Sequence, residues 1–110
     1  MIKETIQKIE ESIRNSAAIE PRKKEELTKL FSTLKAEIEK LSKTHGEQAT
    51  SIAGFAGVAS HEATRRERTR QLASLSLEGL ASSVKGFENS HPQLVETVNA
   101  ICRLLSNIGI

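Results

Sequence analysis

The chain has 110 residues, with 16 lysines and arginines against 14 acidic residues, so its formal net charge is +2. A charge this small gives no reason to expect a nucleic-acid or membrane partner, and a single cysteine excludes internal disulfides and multi-cysteine zinc sites. The length predicts one domain over residues 1–110. Because only 37% of the residues are hydrophobic, which is a low share for a globular domain, we expect a second chain to share in burying the core.

Two amphipathic helices are predicted in the N-terminal part. Isoleucines at 4-3-4 spacing define the first helix, over about residues 2–16: Ile2, Ile6, Ile9 and Ile13. Proline is well placed in the first turn of a helix, so Pro21 opens the second helix, over about residues 21–44. The apolar stripe of this helix has the same helical spacing: Leu27, Phe31, Leu34, Ile38 and Leu41. Gly46 then predicts a helix stop.

A long third segment, over about residues 47–89, contains no proline and carries small residues along a heptad seam. As one helix it would be roughly 60 Å long, well beyond the usual length of a helix. Two interpretations therefore stay open: one continuous helix, or a break near residues 54–57, which include two glycines. Arg66 and Arg70 fall on the same seam, and its C-terminal third is firmly apolar.

The last helix is predicted over about residues 91–108. Ser90 is a suitable N-cap with Gln93 three residues later, as in a capping box, and Pro92 falls in the first turn. The apolar spacing continues across this junction, so one kinked helix is an alternative. We favour a break, because a proline inside a helix costs about 3 kcal/mol or more. The stripe of the last helix is formed by Leu94, Val98, Ile101, Leu105 and Ile108.

These patterns predict an all-α fold of long amphipathic helices with heptad seams, arranged as a coiled-coil hairpin or helical bundle and completed by dimerisation. No alternating strand pattern competes with this prediction. Amphipathic stripes must be buried, and a symmetric copy offers a matching surface. We therefore expect a homo-oligomer, with a dimer favoured, or association with another helical protein. The residues expected in the core or oligomer seam are Leu34, Ile38, Leu41, Leu77, Leu80, Val84, Phe87, Leu94, Val98, Ile101 and Leu105.

No group of residues indicates catalysis. His45, His61 and His91 share no helix face and are interpreted as unrelated surface or cap residues. Cys102 has no companion base at a suggestive spacing, and we interpret it as a small residue beside the apolar stripe. The sequence therefore predicts a protein that is not an enzyme and has no catalytic, cofactor-binding or metal-binding residues.

A basic run is the sharpest local feature of the sequence, and it consists of Arg65, Arg66, Arg68 and Arg70. Arginine binds phosphate and carboxylate with two hydrogen bonds, so one interpretation is a helical module that binds anions or nucleic acid. We favour a polar interruption of the seam, paired with glutamates of a neighbouring helix. Nucleic acid is disfavoured because no aromatic residue lies near enough for base stacking.

The location of the protein is predicted from its lack of long apolar segments. Charges interrupt the N-terminal residues every few positions, so there is no signal-peptide apolar region. The least polar stretch, Ala49–Ser60, has 12 residues, whereas a membrane-spanning helix needs about 20. A single thiol also fits a reducing compartment. We expect a cytoplasmic protein with no membrane span.

The C-terminal part, over residues 87–110, resembles a family of short bacterial helical proteins catalogued only as a domain of unknown function. The residues that carry the resemblance are Phe87-Glu88-Asn89-Ser90-His91-Pro92 and the end Gly109-Ile110. Relative to the shortest members, residues 51–80 resemble an insertion. The resemblance implies a bacterial, helical, cytoplasmic protein and no mechanism. It draws attention to a helix junction whose structural interpretation is a cap: Ser90, His91 and Pro92.

Overall fold

The structure, a computed structural model, describes residues 2–109, which form five α-helices: α1 (Ile2–Asn15), α2 (Pro21–Ser42), α3 (Gly46–Thr64), α4 (Arg70–Ser83) and α5 (Pro92–Gly109). No strand occurs among these residues, and the prediction of an all-α fold is confirmed. The helices pack as a bundle with extents of 37 × 24 × 21 Å and a radius of gyration of 12.8 Å, as expected for a compact chain of this length. No helix in this range is both long and apolar enough to cross a membrane.

The turn between α1 and α2 forms where the sequence predicts it. Pro21 occupies the start of α2, where its missing N–H is no loss. Lys24 joins the two helices, because its Nζ donates a hydrogen bond of 3.0 Å to the carbonyl oxygen of Arg14. Ile19 is buried beneath the turn. At the other end of α2 the prediction is wrong, since the helix ends at Ser42 and Gly46 is the first residue of α3.

α3 is the central helix, because it packs against each of the other four. Its buried stripe consists mainly of small residues: Ala49, Ile52, Ala53, Ala56, Ala59, Ser60 and Ala63. Small side chains let neighbouring backbones approach closely, so the other four helices can all pack against α3. The bulk of the core comes instead from the isoleucines, leucines and Phe31 of the surrounding helices.

The third predicted segment is two helices, and the break predicted near residues 54–57 is in the wrong place. Both glycines lie inside α3, and the chain leaves the helical conformation over residues 65–69. α3 and α4 pack against each other as a helical hairpin. In a continuous helix, Arg66 and Arg70 would lie on the buried face, whereas the turn leaves both exposed. The break therefore avoids burying two charges.

α4 ends at Ser83, earlier than the predicted end near residue 89. Gly86 causes the change of direction, since its φ of +97° lies in the left-handed region that favours glycine. α5 then begins at Pro92, one residue later than expected. Ile110 lies outside the described residues, so the predicted glycine–isoleucine stop is described only up to Gly109.

The expected seam residues lie in the core of a single chain. Phe87 is partly buried and the other ten are buried: Leu34, Ile38, Leu41, Leu77, Leu80, Val84, Leu94, Val98, Ile101 and Leu105. The low apolar content that led us to expect a second chain is compensated by the small residues of α3, which bring the helices close together. Burial of the seams therefore needs no partner, and any association must use another surface.

Candidate functional site

Two arginines of the basic run hold the turn between α3 and α4. The Nε atom of Arg65 lies 3.2 Å from a carboxylate oxygen of Glu62, an ion pair without hydrogen-bond alignment. Nη2 of Arg65 donates to the hydroxyl of Thr69 over 3.0 Å. Arg68 reaches back to the carbonyl oxygen of Ala63 over 3.5 Å, one of the carbonyls left free at the end of α3. Both side chains thus stabilise the turn itself.

The other two arginines, Arg66 and Arg70, are exposed. Arg66 lies in the turn and Arg70 begins α4, so the prediction that they share one helix face on the seam is wrong. The predicted pairing with glutamates of a neighbouring helix is also wrong for Arg65, whose partner Glu62 is three residues away in the chain. The basic run therefore consists of Arg65 and Arg68, whose side chains bond within the turn, and of the exposed Arg66 and Arg70, which take no part in those bonds.

Four large apolar side chains of the α3–α4 hairpin are exposed to solvent. Their exposed fractions are 43% for Phe55, 51% for Val58, 46% for Leu72 and 54% for Leu75. On each helix the two residues are three positions apart and so share one face. We call these four residues the hairpin face. Single exposed apolar residues are common on proteins, but a group of them marks an interaction site.

Phe55 joins the two helices of the hairpin face. A Cβ atom placed on Gly79 of α4 would lie 2.5 and 2.6 Å from two ring carbons of Phe55. The ring therefore occupies the space above Gly79 that any other residue would fill. Leu75 lies one turn before Gly79 on the same side of α4, so the ring packs on the side of α4 that carries Leu75. The hairpin face is thus continuous from α3 to α4.

Charge is unevenly distributed along the hairpin. The turn end, over residues 61–70, has four arginines and two glutamates. The opposite end, where α3 begins and α4 ends, has three glutamates and one lysine: Glu47, Glu78, Glu88 and Lys85. These four side chains are exposed. The hairpin is therefore positive at its turn and negative at its other end, with the hairpin face between them.

The hairpin face lies outside the single heptad register that predicts the seam. Along α3 that register contains the buried alanines and omits Phe55 and Val58, and along α4 it omits Leu72 and Leu75. The available signal was a second apolar spacing, three residues apart, on both segments. A second apolar face is indicated by two pairs of large apolar residues outside the main register, Phe55 with Val58 and Leu72 with Leu75.

At one end of the bundle, His45, Phe87 and His91 meet. The centroid of the Phe87 ring lies 5.4 Å from that of His45 and 5.6 Å from that of His91, with edge-to-face geometry in both cases. The two histidine rings are 6.3 Å apart. Each Nδ1 atom lies beside the hydroxyl of the preceding residue, Thr44 at 2.8 Å and Ser90 at 3.0 Å. His45 and His91 are therefore not unrelated, but each precedes the first residue of a helix, as the interpretation of a cap residue requires.

The junction before α5 is capped differently from the prediction. Ser90 bonds the ring of His91, and in the described part of the chain its hydroxyl makes no bond to a backbone N–H of α5. His91 precedes the first helical residue, Pro92, and its carbonyl oxygen accepts a hydrogen bond of 3.3 Å from the N–H of Val95. The N-cap position thus belongs to His91, and the capping box with Gln93 does not form.

Cys102 is half-buried between α5 and α4. Its thiol donates to the carbonyl oxygen of Leu77 over 3.8 Å. Burial raises the pKa of the thiol above its ordinary value, and the positive charge of Arg103 offsets only part of this effect. A thiol kept protonated is a poor nucleophile. Among residues 2–109, no group of three or more histidine, cysteine or acidic side chains is placed to hold a metal ion.

The sequence model of one protein family, described as a domain of unknown function (DUF4404), matches residues 56–110. This range takes in the second half of α3 and all of α4 and α5, while α1 and α2 precede it. It extends the resemblance seen over residues 87–110 and includes most of the segment that resembled an insertion. No curated protein and no solved structure matches the chain.

Proposed function

This chain belongs to the DUF4404 family, a domain of unknown function, and we propose that it is a non-enzymatic protein-interaction module that self-associates as a dimer. The observation that carries the proposal is the hairpin face, where four apolar side chains on two packed helices are each about half exposed. Leaving such a group in water is unfavourable, and its burial against another protein is the usual resolution. The dimer forms between chains that are already folded, because the seams are covered within each chain.

The charge distribution favours a second copy as the partner. Around a two-fold axis perpendicular to α4, the helix lies antiparallel to α4 of the copy, so the positive turn end of one hairpin meets the negative end of the other. Glu78 lies three residues after Leu75 and is exposed, so it borders the hairpin face on the negative side. Complementary charge of this kind fixes the register and orientation of an interface. Another helical protein with an apolar stripe is the alternative partner.

The size of the hairpin face predicts a weak, concentration-dependent dimer. Standard interfaces involve about 20–30 residues from each side, whereas the hairpin face supplies four apolar side chains surrounded by polar residues. A small apolar centre with a polar rim is typical of transient association. We therefore expect monomers at low concentration and dimers at high concentration.

Light scattering over a hundredfold concentration range tests this proposal. The mass is expected to rise from the monomer value of 12.1 kDa toward twice that value. Leu75→Glu places a charge in the centre of the hairpin face, so this variant is expected to stay monomeric while its thermal unfolding is little changed. The matched control is Ala36→Glu on the exposed side of α2, which should associate like the original chain. A monomer at every concentration, or unchanged association of Leu75→Glu, would contradict the proposal.

Binding of an anion or nucleic acid by the basic run is the second candidate. Arg66 and Arg70 are the residues that support it, since Arg65 and Arg68 contact the turn. Two phosphate contacts predict a shallow salt dependence, with a slope of about −1.8 in log K against log salt for duplex DNA. Neutralising Arg66 and Arg70 together should abolish that slope. Absence of binding to single-stranded and duplex DNA at low salt would eliminate this candidate.

A further inference from the structure

A groove between α1 and α3 is lined by side chains that suit a small anion. Its volume is about 290 Å³. On each helix, the lining residues lie three, four and seven positions after the first one, which is Thr5 on α1 and Gly57 on α3. α1 contributes Lys8 and Ser12, and α3 contributes Ser60, His61 and Thr64. None of the residues that line the groove carries a carboxylate. It therefore offers donors and positive charge without a competing negative charge.

Ser60 is the residue that sets this groove apart. It is only 3% exposed, and its hydroxyl has no hydrogen-bond partner. Burying an unsatisfied hydroxyl is unfavourable, so such a group calls for an explanation. The nearby hydroxyl of Thr64 does not provide one, because it donates to the carbonyl oxygen of Ser60 over 2.6 Å. Because the hydroxyl oxygen itself is covered, a ligand atom in the groove would satisfy it once the Ser60 side chain rotates toward the groove that it lines.

Three of the five glutamates on the two helices are directed elsewhere. Glu62, next to His61, pairs with Arg65 at 3.2 Å. Glu10 and Glu11 of α1 line a different groove together with Lys35 of α2. Lys8 and His61 are exposed at the rim, where an ammonium group and an imidazole N–H donate to an approaching anion. Hydrogen-bond donors thus face the groove from both helices, and Lys8 adds a positive charge.

Gly57 keeps the groove open at its apolar edge. A Cβ atom at this position would lie 4.0 Å from side-chain carbons of Ile9 and Thr5, which is ordinary contact. The helices are therefore close here while the space beside them stays free. A methyl group at residue 57 would narrow the groove without moving either helix.

We propose that the α1–α3 groove binds a small oxyanion, namely inorganic phosphate or the phosphate group of a small monoester. Lys8 supplies the charge, and Ser60 and His61 donate hydrogen bonds to the oxygens. Charge-assisted hydrogen bonds of this type are the strong ones in anion recognition. The site is separate from the hairpin face and does not depend on dimerisation.

Titration with inorganic phosphate and with glycerol phosphate, followed by amide chemical shifts, tests the proposal. We expect saturable shifts at Lys8, Ser60 and His61 that sodium chloride at equal ionic strength does not produce. Lys8→Gln removes a charge-assisted contact and should weaken binding about tenfold. Lys3→Gln is the matched control, because Lys3 is an exposed lysine of the same helix outside the groove. Tighter binding of glycerol phosphate would identify a monoester as the ligand, and equal binding would identify the free anion.

Ser60→Ala separates binding from a structural role. Without phosphate, this variant should be at least as stable as the original chain, because it removes an unsatisfied buried hydroxyl. With phosphate, the original chain should unfold at a higher temperature, and Ser60→Ala should gain much less. The proposal is overturned if phosphate shifts the groove amides no more than chloride does, or if Lys8→Gln binds as tightly as Lys3→Gln.

Discussion

α2 and α3 both bury a stripe at helical spacing, but they contribute to the core in opposite ways. α2 buries five large side chains, Leu27, Phe31, Leu34, Ile38 and Leu41, whereas α3 buries mainly alanines. α2 packs against three helices and α3 against four. Large side chains fill the space between helices, whereas small side chains let the helices pack so closely that little space is left to fill. A chain with few apolar residues thus closes its own core by placing its smallest stripe at the centre.

This difference also explains where apolar side chains are exposed to solvent. The alanine stripe of α3 faces inward together with Ile52, whereas the other two large apolar residues of that helix, Phe55 and Val58, lie on the outside. On α2 the exposed side is polar or charged, apart from Pro21 and Ala36. The hairpin face is therefore a property of the α3–α4 region, while the N-terminal helices have the ordinary division of apolar inside and polar outside.

Removal of a large side chain from α2 is expected to have the largest effect. Leu34→Ala leaves a cavity in a fully buried position, so we expect the free energy of unfolding to fall by about 2–5 kcal/mol. Denaturant unfolding at low protein concentration measures it. Leu75→Ala is the matched control, because the same atoms are removed from a side chain that is 54% exposed. Equal losses in the two variants would show that Leu34 is not in the core.

Addition of a large side chain to α3 is expected to have the second largest effect on stability. Ala56 is fully buried in the central helix, so Ala56→Leu should overpack the core and destabilise the chain by about 1–3 kcal/mol. The control is Ala36→Leu at an exposed position of α2, where little change is expected. If Ala56→Leu were as stable as the control, the conclusion that the core is closely packed around α3 would be wrong.

One glycine of each hairpin helix, Gly54 in α3 and Gly79 in α4, provides a smaller and opposite effect. Gly54 is exposed inside the helix and nothing lies within 4 Å of its missing Cβ, so Gly54→Ala should stabilise the chain by about 0.5–1 kcal/mol. Gly79→Ala gains the same helix propensity but must displace the Phe55 ring. Its melting temperature should therefore rise less than that of Gly54→Ala. A larger rise for Gly79→Ala would contradict the contact between Phe55 and Gly79.

Much of the fold could be predicted from periodicity. The stripes of α1, α2 and α5 are regular, and Pro21 and Pro92 mark helix starts that the structure reproduces at or within one residue of the predicted position. The turn at residues 65–69 could not be predicted in the same way, because it contains neither glycine nor proline. It forms because packing of α3 on α4 is better than a straight helix that buries two arginines. Tertiary packing of this kind leaves no local signal.

The candidate sites were less predictable for the same reason. His45 and His91 are 46 residues apart in the sequence, and only the packing of the bundle brings their rings to 6.3 Å. The α1–α3 groove likewise combines Lys8 with Ser60, which no sequence motif connects. For the hairpin face a signal existed, since Leu72 and Leu75 lie outside the seam, but interpretation with a single register concealed it.

The smallest expected effect concerns Cys102, which lies between α4 and α5. Because burial raises the pKa of the thiol, alkylation of the folded protein should be slower than that of the unfolded chain, and its pH profile should shift to higher pH. A raised pKa in the folded state favours the protonated thiol. The associated stabilisation is therefore present below the unfolded pKa and is lost as the pH rises through the folded pKa. Equal alkylation rates in the folded and unfolded states would contradict this environment.

Amide hydrogen exchange at two protein concentrations, one hundredfold above the other, tests the central claim most directly. If the seams close within one chain and the hairpin face receives a second copy, exchange should slow at high concentration around residues 55–58 and 72–79. The amides of α1 and α2 should exchange at the same rate in both samples. Protection that increases along α1 and α2 instead, or nowhere in the molecule, would contradict the account.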